Sequence, residues 1–120
     1  GAPMVQHSLN CMLEFYKQGL ISLEKIVEKM CHNPAILYRI KNRGFIREGY
    51  FADLTLVDLN SQWTVAMDNL LYKCGWSPLE GTTFQTAIKQ TFVNGNLVYD
   101  NGRFNETIKG MEIKISTQSN

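Results

Sequence analysis

Imidazole, thiol, carboxylate and guanidinium groups are the side chains able to bind metals, move protons or attack carbonyls, and here they are sparse. The two histidines, His7 and His32, stand far apart in the chain. No H-x-H, H-E-x-x-H or C-x-x-C supplies a local pair of metal ligands. His7 falls near a predicted helix start and His32 just before a predicted helix cap, so each reads as a polar residue finishing a helix end. Cys31 and His32 are adjacent, and neighbours on a helix point about 100° apart, which argues against a Cys–His nucleophile pair. Asp53 and Asp58 bracket a short apolar run and read as solvated strand ends, not as an acid–base dyad. Arg39, Lys41, Arg43 and Arg47 follow a predicted helix, whose negative C-terminal end favours them; anion binding is the alternative. Trp63 and Trp76 read as core or interface aromatics. G-x-S-x-G, G-x-G-x-x-G and the P-loop are all absent. By these residues alone the chain carries no catalytic group and no metal ligand set.

The elements that must position these residues change character near Gly44. Leu9, Met12, Leu13 and Tyr16 follow i, i+3, i+4, i+7, predicting a helix from about Val5 or Gln6 to Gln18, with Cys11 and Phe15 widening its apolar face. Gly19 supplies its C′ position. Ser22 is placed to cap a second helix, in which Leu23, Ile26, Val27, Met30 and Cys31 form the cleanest stripe. Lys25 and Glu28 pair on its wet face, only partly offsetting the like-charge neighbours Glu24–Glu28 and Lys25–Lys29. Asn33-Pro34 opens a third helix to about Ile40, with Asn as cap and Pro at its first position.

After Gly44 the pattern is β. Residues 52–58 and 62–66 read as strands, 67–72 as a helical turn, and 73–83 as irregular chain. Asn94-Gly95 between two apolar runs is a type I′ hairpin signal, and Asn101-Gly102 repeats it. The tail alternates Met111, Ile113 and Ile115 inward with Glu112 and Lys114 outward, as a half-buried or edge strand would. Helices this apolar normally cover a sheet or other helices, and here they lack enough partners. The chain is expected to be a piece of something larger.

Bulk properties narrow the classes. With 120 residues there is room for one domain of ordinary size. Twelve Lys and Arg against eleven Asp and Glu leave no basic surplus for a nucleic-acid partner. The 44% hydrophobic content is too high for a disordered segment, and no apolar run reaches the length of a membrane span. Cys11, Cys31 and Cys74 are odd in number and widely spaced, predicting reduced thiols in a cytoplasmic protein. No secretory signal is visible at Gly1–Gln6, and the lack of a leading methionine suggests a processed or shortened chain.

The order of segments carries a resemblance. Ser22-Leu23-Glu24-Lys25-Ile26-Val27 with Asn33-Pro34-Ala35 resembles the last helices of the cyclic amidohydrolases. Residues 44–58 match that superfamily's G-x-I-x-x-G-x-x-A-D-L-x-L-x-D stretch, from Gly44 and Ile46 through Gly49, Ala52, Asp53, Leu54 and Leu56 to Asp58. Ser77-Pro78-Leu79-Glu80-Gly81 and Thr91-Phe92-Val93-Asn94-Gly95-Asn96-Leu97-Val98-Tyr99-Asp100 resemble the segments that follow it. Within the superfamily, the Pro-x-Glu-Gly segment and residues 1–9 are most similar to the dihydroorotase family.

The resemblance implies an α/β parent: a metal-dependent (β/α)8 barrel with a small β-sandwich built from both chain ends. Residues 1–43 would be its closing barrel helices, and 44–120 the C-terminal share of the sandwich. The implied reaction interconverts N-carbamoyl-L-aspartate and dihydroorotate in pyrimidine synthesis, with two zinc ions activating water and polarising the amide. The family's metal ligands and catalytic aspartate precede Gly1, so no catalytic or metal residue is assigned in this chain. The one carried-over role is substrate binding by the main chain of Gly1 and Ala2. Gln6 and His7 depart from the Glu-Thr common at this point in the family. Implied partners are the rest of the barrel, a small-molecule substrate, a second copy in a homo-oligomer, and aspartate transcarbamoylase; nucleic acid and membrane are not among them. Hydantoinase, dihydropyrimidinase or allantoinase chemistry, or a non-catalytic assembly module, is the alternative. Without a barrel, the face of Leu9, Met12, Leu13, Phe15 and Tyr16 is expected to stand uncovered and to drive association.

Overall fold

The computed structural model describes residues 1–117 and resolves two compact units. The first combines Gly1–Ser22 with Val57–Ala87, and the second combines Leu23–Leu56 with the chain from Ile88 onward.

In the first unit a 3-10 turn, Val5–His7, leads into α1, Ser8–Lys17. The helix ends as the glycine predicts. Gly19 has φ +76°, its N–H donates to the Tyr16 carbonyl, and the Leu20 N–H reaches back to Phe15, which is the Schellman closure. Strands β2 (Trp63–Thr64) and β3 (Thr83–Phe84) pair antiparallel, Trp63 opposite Phe84. A 3-10 turn, Met67–Asn69, lies between them in sequence. The apolar stripe of α1 is not left bare. Leu13 is buried, Leu9, Met12 and Tyr16 are half-buried, and only Phe15 is exposed. The expected uncovered face is therefore corrected: α1 packs against β3, and Val65 and Phe84 complete this unit's core.

In the second unit, α2 (Leu23–Val27), a π-helical turn (Glu28–His32) and α3 (Asn33–Leu37) run on without a break. The third helix opens at Asn33 as expected, with Pro34 in its first turn, but Asn33 is itself helical, at φ −61° and ψ −43°, and makes no side-chain cap, so the expected Asn cap is corrected and the helix runs through it on a widened turn. The reason is Pro34. It has no N–H to donate, and its ring would collide with the carbonyl four residues back, that of Met30. The chain widens by one residue instead, and the Asn33 N–H reaches the Glu28 carbonyl five residues back. The helix stops at Leu37, short of the expected Ile40. Arg39 takes the left-handed position at φ +55°, and the Ile40 N–H donates to Ala35. Lys25 and Glu28 form the expected ion pair at 2.8 Å.

The sheet has the order β1-β4-β5-β6, with β1 Leu54–Asp58, β4 Ala87–Val93, β5 Asn96–Asp100 and β6 Arg103–Phe104. Both predicted turns form, since Asn94, Gly95, Asn101 and Gly102 all have positive φ. The register shifts between Thr91 and Phe92, leaving one extra residue on β5 and a local bulge. Gly95→Val should cost about 1–2 kcal/mol, because a β-branched side chain resists φ +80°. Thermal melts of wild type and variant check it.

The tail departs from expectation. Met111, Ile113 and Ile115 are all exposed, and no strand forms there. Only an isolated antiparallel bridge joins Ile115 to Ile40, flanked by the Lys41 N–H on the Lys114 carbonyl and the Ser116 N–H on Arg39. Alternation alone does not bury a strand that has no sheet face to rest on. The last three positions of the 44–120 segment, 118–120, lie outside the described residues.

Candidate functional site

The segment that precedes α1 is where a substrate role was expected, and its anchoring comes from residues far away in sequence. Gly1 and Ala2 are exposed. Beyond them Gln6 grips the chain 69–72 three times. Its backbone N–H donates to Tyr72 Oη at 2.8 Å, and its Nε2 donates to the Asn69 carbonyl at 2.9 Å. In return the Leu71 N–H donates to Gln6 Oε1 at 2.8 Å. The amide gives and accepts at once, whereas a carboxylate would face the Asn69 carbonyl without a proton to offer. Asn69 is fixed in turn, accepting from the Ala66 N–H and donating to the Thr64 carbonyl.

Beside this clamp, His7 is buried to 1% exposure, with ring centroids of Trp63, Phe84 and Tyr72 at 5.7, 6.1 and 6.4 Å. Neither ring nitrogen has a hydrogen-bond partner among the described residues. Burial pushes its pKa below the ordinary histidine value, so the neutral ring is favoured. Leaving a buried polar group unsatisfied costs about 1–3 kcal/mol, which makes this ring an expensive filler. Asn10 Nδ2 and Thr86 Oγ1 in the same unit are buried and unpartnered as well. Trp63 is held by Nε1–H donation to the Thr86 carbonyl. The expectation that His7 merely finishes a helix end is corrected: its ring points into an aromatic core. Trp63 is half-buried against the His7 and Phe84 rings, while Trp76 is half-exposed.

The Pro-x-Glu-Gly segment is a turn. Ser77 is buried, its Oγ accepts from the Leu79 N–H, and Gly81, at φ +85°, donates to the Val65 carbonyl at 2.8 Å. The same unit has a shallow polar hollow of about 360 Å³, lined by Lys17, Asn60, Gln62 and Gln85. Its one cation is engaged, with Lys17 Nζ donating to the Leu59 carbonyl and to Asn60 Oδ1. Glu14 accepts from both the backbone and the side chain of Gln85.

In the second unit Asp53 proves to be more than a solvated strand end. Arg43 Nη1 donates to Asp53 Oδ2 at 2.6 Å and to Asn94 Oδ1 at 2.7 Å, and the Asn94 N–H donates to Asp53 Oδ1. Arg43 also lies over the Phe51 ring at 4.1 Å. Arg47 covers Phe45 and Tyr50. Two of the four basic residues thus serve the strand approach and not the helix end, and the superfamily-like A-D-L stretch is a structural clasp. His32 stacks on Phe45 at 4.2 Å, and partial burial pushes the Cys31 thiol up, opposite to what an activated nucleophile needs. Cys11 is shifted the same way by burial and then by Glu14. Asp58 accepts from the Asn60 N–H, a local turn contact.

Among the described residues no three His, Cys, Asp or Glu side chains gather to hold a metal ion. These residues do not fit a zinc centre. Nor is any helix among the described residues long and apolar enough to cross a membrane.

The sequence pattern of the Amidohydrolase family matches residues 2–98. A dihydroorotase of Pyrococcus furiosus is 38% identical over 83% of this chain and 24% of its own length. An allantoinase of Desulfitobacterium hafniense is 34% identical over 73% of this chain and 20% of its own. The solved L-hydantoinase (dihydropyrimidinase) of Arthrobacter aurescens superposes with a TM-score of 0.80 at 33% identity, covering 88% of this chain and 24% of that one. The chain spans about a quarter of the length of the relatives it matches. With most of its length matched by the family pattern, and the A-D-L clasp and the paired Asn-Gly hairpins in place, this chain belongs to the amidohydrolase family.

Proposed function

We propose that this chain is the C-terminal portion of a dihydroorotase, the hydrolase that interconverts N-carbamoyl-L-aspartate and dihydroorotate. The observation that carries the reading is the 38% identity to the Pyrococcus furiosus dihydroorotase, sustained over 83% of the chain. In this reading residues 1–43 close a (β/α)8 barrel and 44–120 contribute to a β-sandwich. The zinc ions and the proton-transferring aspartate belong to the preceding part of the parent. Gly1 and Ala2 offer main-chain N–H groups to the substrate, held there by the Gln6 clamp. The rest of the barrel, a second copy, and aspartate transcarbamoylase are the proposed partners. Three free cysteines among the described residues accord with a reducing, cytoplasmic setting.

The similarity to the L-hydantoinase structure favours a second reading, the same fold acting on a hydantoin or dihydropyrimidine ring. One experiment separates them. The 120-residue chain and the chain extended by its upstream reading frame are assayed for zinc and for turnover of dihydroorotate, hydantoin and allantoin. The expected result is zinc and dihydroorotate turnover in the extended protein and neither in the short chain. Turnover of hydantoin or allantoin in place of dihydroorotate establishes the second reading. An upstream frame without metal ligands, and no activity at all, establishes a non-catalytic assembly module.

A further inference from the structure

We propose that Gln6 and His7 form a proton-operated latch for the main-chain segment ahead of α1, closed while the imidazole is neutral and opened when it takes a proton. The inference concerns this segment whatever ring the parent hydrolyses, so its failure would leave the hydrolase reading intact.

The geometry divides the work. Gln6 supplies the hydrogen bonds, three of them to Asn69, Leu71 and Tyr72, at sequence separations of 63 to 66 residues. His7 supplies the buried anchor beside them, and Tyr72 is shared: its ring faces His7 edge-on at 80° while its oxygen accepts from Gln6. Seating His7 and closing the clamp are therefore one event. A neutral imidazole fits among Trp63, Phe84 and Tyr72 as an aromatic ring does. An imidazolium there would be a desolvated charge with both N–H groups unpaired.

No neighbour rescues that charge. On α1 the ionisable groups one and two turns on are Cys11 and Glu14, and Glu14 is committed to Gln85. The facing β2 and β3 present Trp63, Thr64, Thr83 and Phe84, none of which carries a charge. The 67–73 segment offers Asp68, Tyr72 and Lys73, and none forms an ion pair with His7 among the described residues. Burial is the sole cause of the lowered pKa. The sign follows. In the opened state the ring titrates near its ordinary value, so that state binds more protons, and the latch is closed above that value and opens as pH falls below it.

The test is amide hydrogen exchange on the 120-residue chain, corrected for intrinsic rate, together with the imidazole titration of His7 followed by NMR. Between pH 7.5 and 5.5, protection at the Gln6 and Leu71 amides is expected to fall several-fold and by at most about tenfold, since each pH unit below the ordinary pKa is worth up to about tenfold. The Gly95 amide, bonded to the Ala52 carbonyl in the other unit, serves as the reference and stays level. His7→Phe should hold both amides protected at either pH, and His32→Asn should behave as wild type. A His7 that titrates at the ordinary value with protection unchanged overturns the latch, as does the same loss of protection in His7→Phe. Should His7→Phe fail to fold, the wild type decides alone. Coincident midpoints for the His7 ring and the Leu71 amide support the latch, and separated midpoints overturn it.

Discussion

Gly44→Ala is expected to lower the stability of the second unit by about 3 kcal/mol, the sum of overpacking at roughly 1–3 and left-handed strain at roughly 1. At φ +84° an alanine is already disfavoured, and its methyl group would overlap the Ala35 methyl and lie 2.9 Å from the Cys31 carbonyl oxygen. That oxygen belongs to helical backbone and cannot step aside. Gly49→Ala is the matched control. Its φ is nearly the same, +82°, yet nothing lies within 4 Å of the added carbon. It should therefore cost only about 1 kcal/mol, the conformational part alone. Urea unfolding followed by circular dichroism measures both. Equal losses in the two variants would show that the approach of Gly44 to the helix is not tight.

Asp53→Ala should cost about 2 kcal/mol, less than the roughly 3–5 kcal/mol of a fully buried ion pair because Asp53 is itself partly exposed. The larger share comes from Arg43, whose side chain is only 11% exposed and would keep its charge with no carboxylate to meet it. The Asn94 N–H would lose its acceptor at the same time, loosening the hairpin that Gly95 ties to Ala52. Asp53→Asn leaves an oxygen able to accept from Asn94 but removes the charge facing Arg43. About half the loss is expected there, as a charged hydrogen bond is worth roughly twice a neutral one. A double-mutant cycle with Arg43→Met reads the coupling directly, and a coupling near zero would make the clasp ornamental.

What could be foreseen was local. Gly19 ends α1, Asn94-Gly95 and Asn101-Gly102 turn the strands, and Lys25 finds Glu28, each decided by groups a few residues apart. The site was less legible because its contacts span the chain. Gln6 meets Asn69 and Leu71, and Arg43 meets Asn94, across separations on which periodicity is silent. His7 was misplaced for a related reason. A histidine near a helix start carries no mark of whether its ring turns to water or to a tryptophan fifty-six positions on. One signal was available: Gln6-His7 departs from the Glu-Thr that the resemblance implies, offering an amide where a charge was expected and a ring where a small hydroxyl was expected. The tail failed differently. Met111, Ile113 and Ile115 alternate as a strand should, but an alternating pattern specifies a face and does not provide the partner that covers it.

The widened turn at Glu28–His32 changes the phase of the helix that follows it. It inserts one residue between two stretches of regular helix, so the angular count that groups Leu23, Ile26 and Met30 cannot be continued to Ile36 and Leu37.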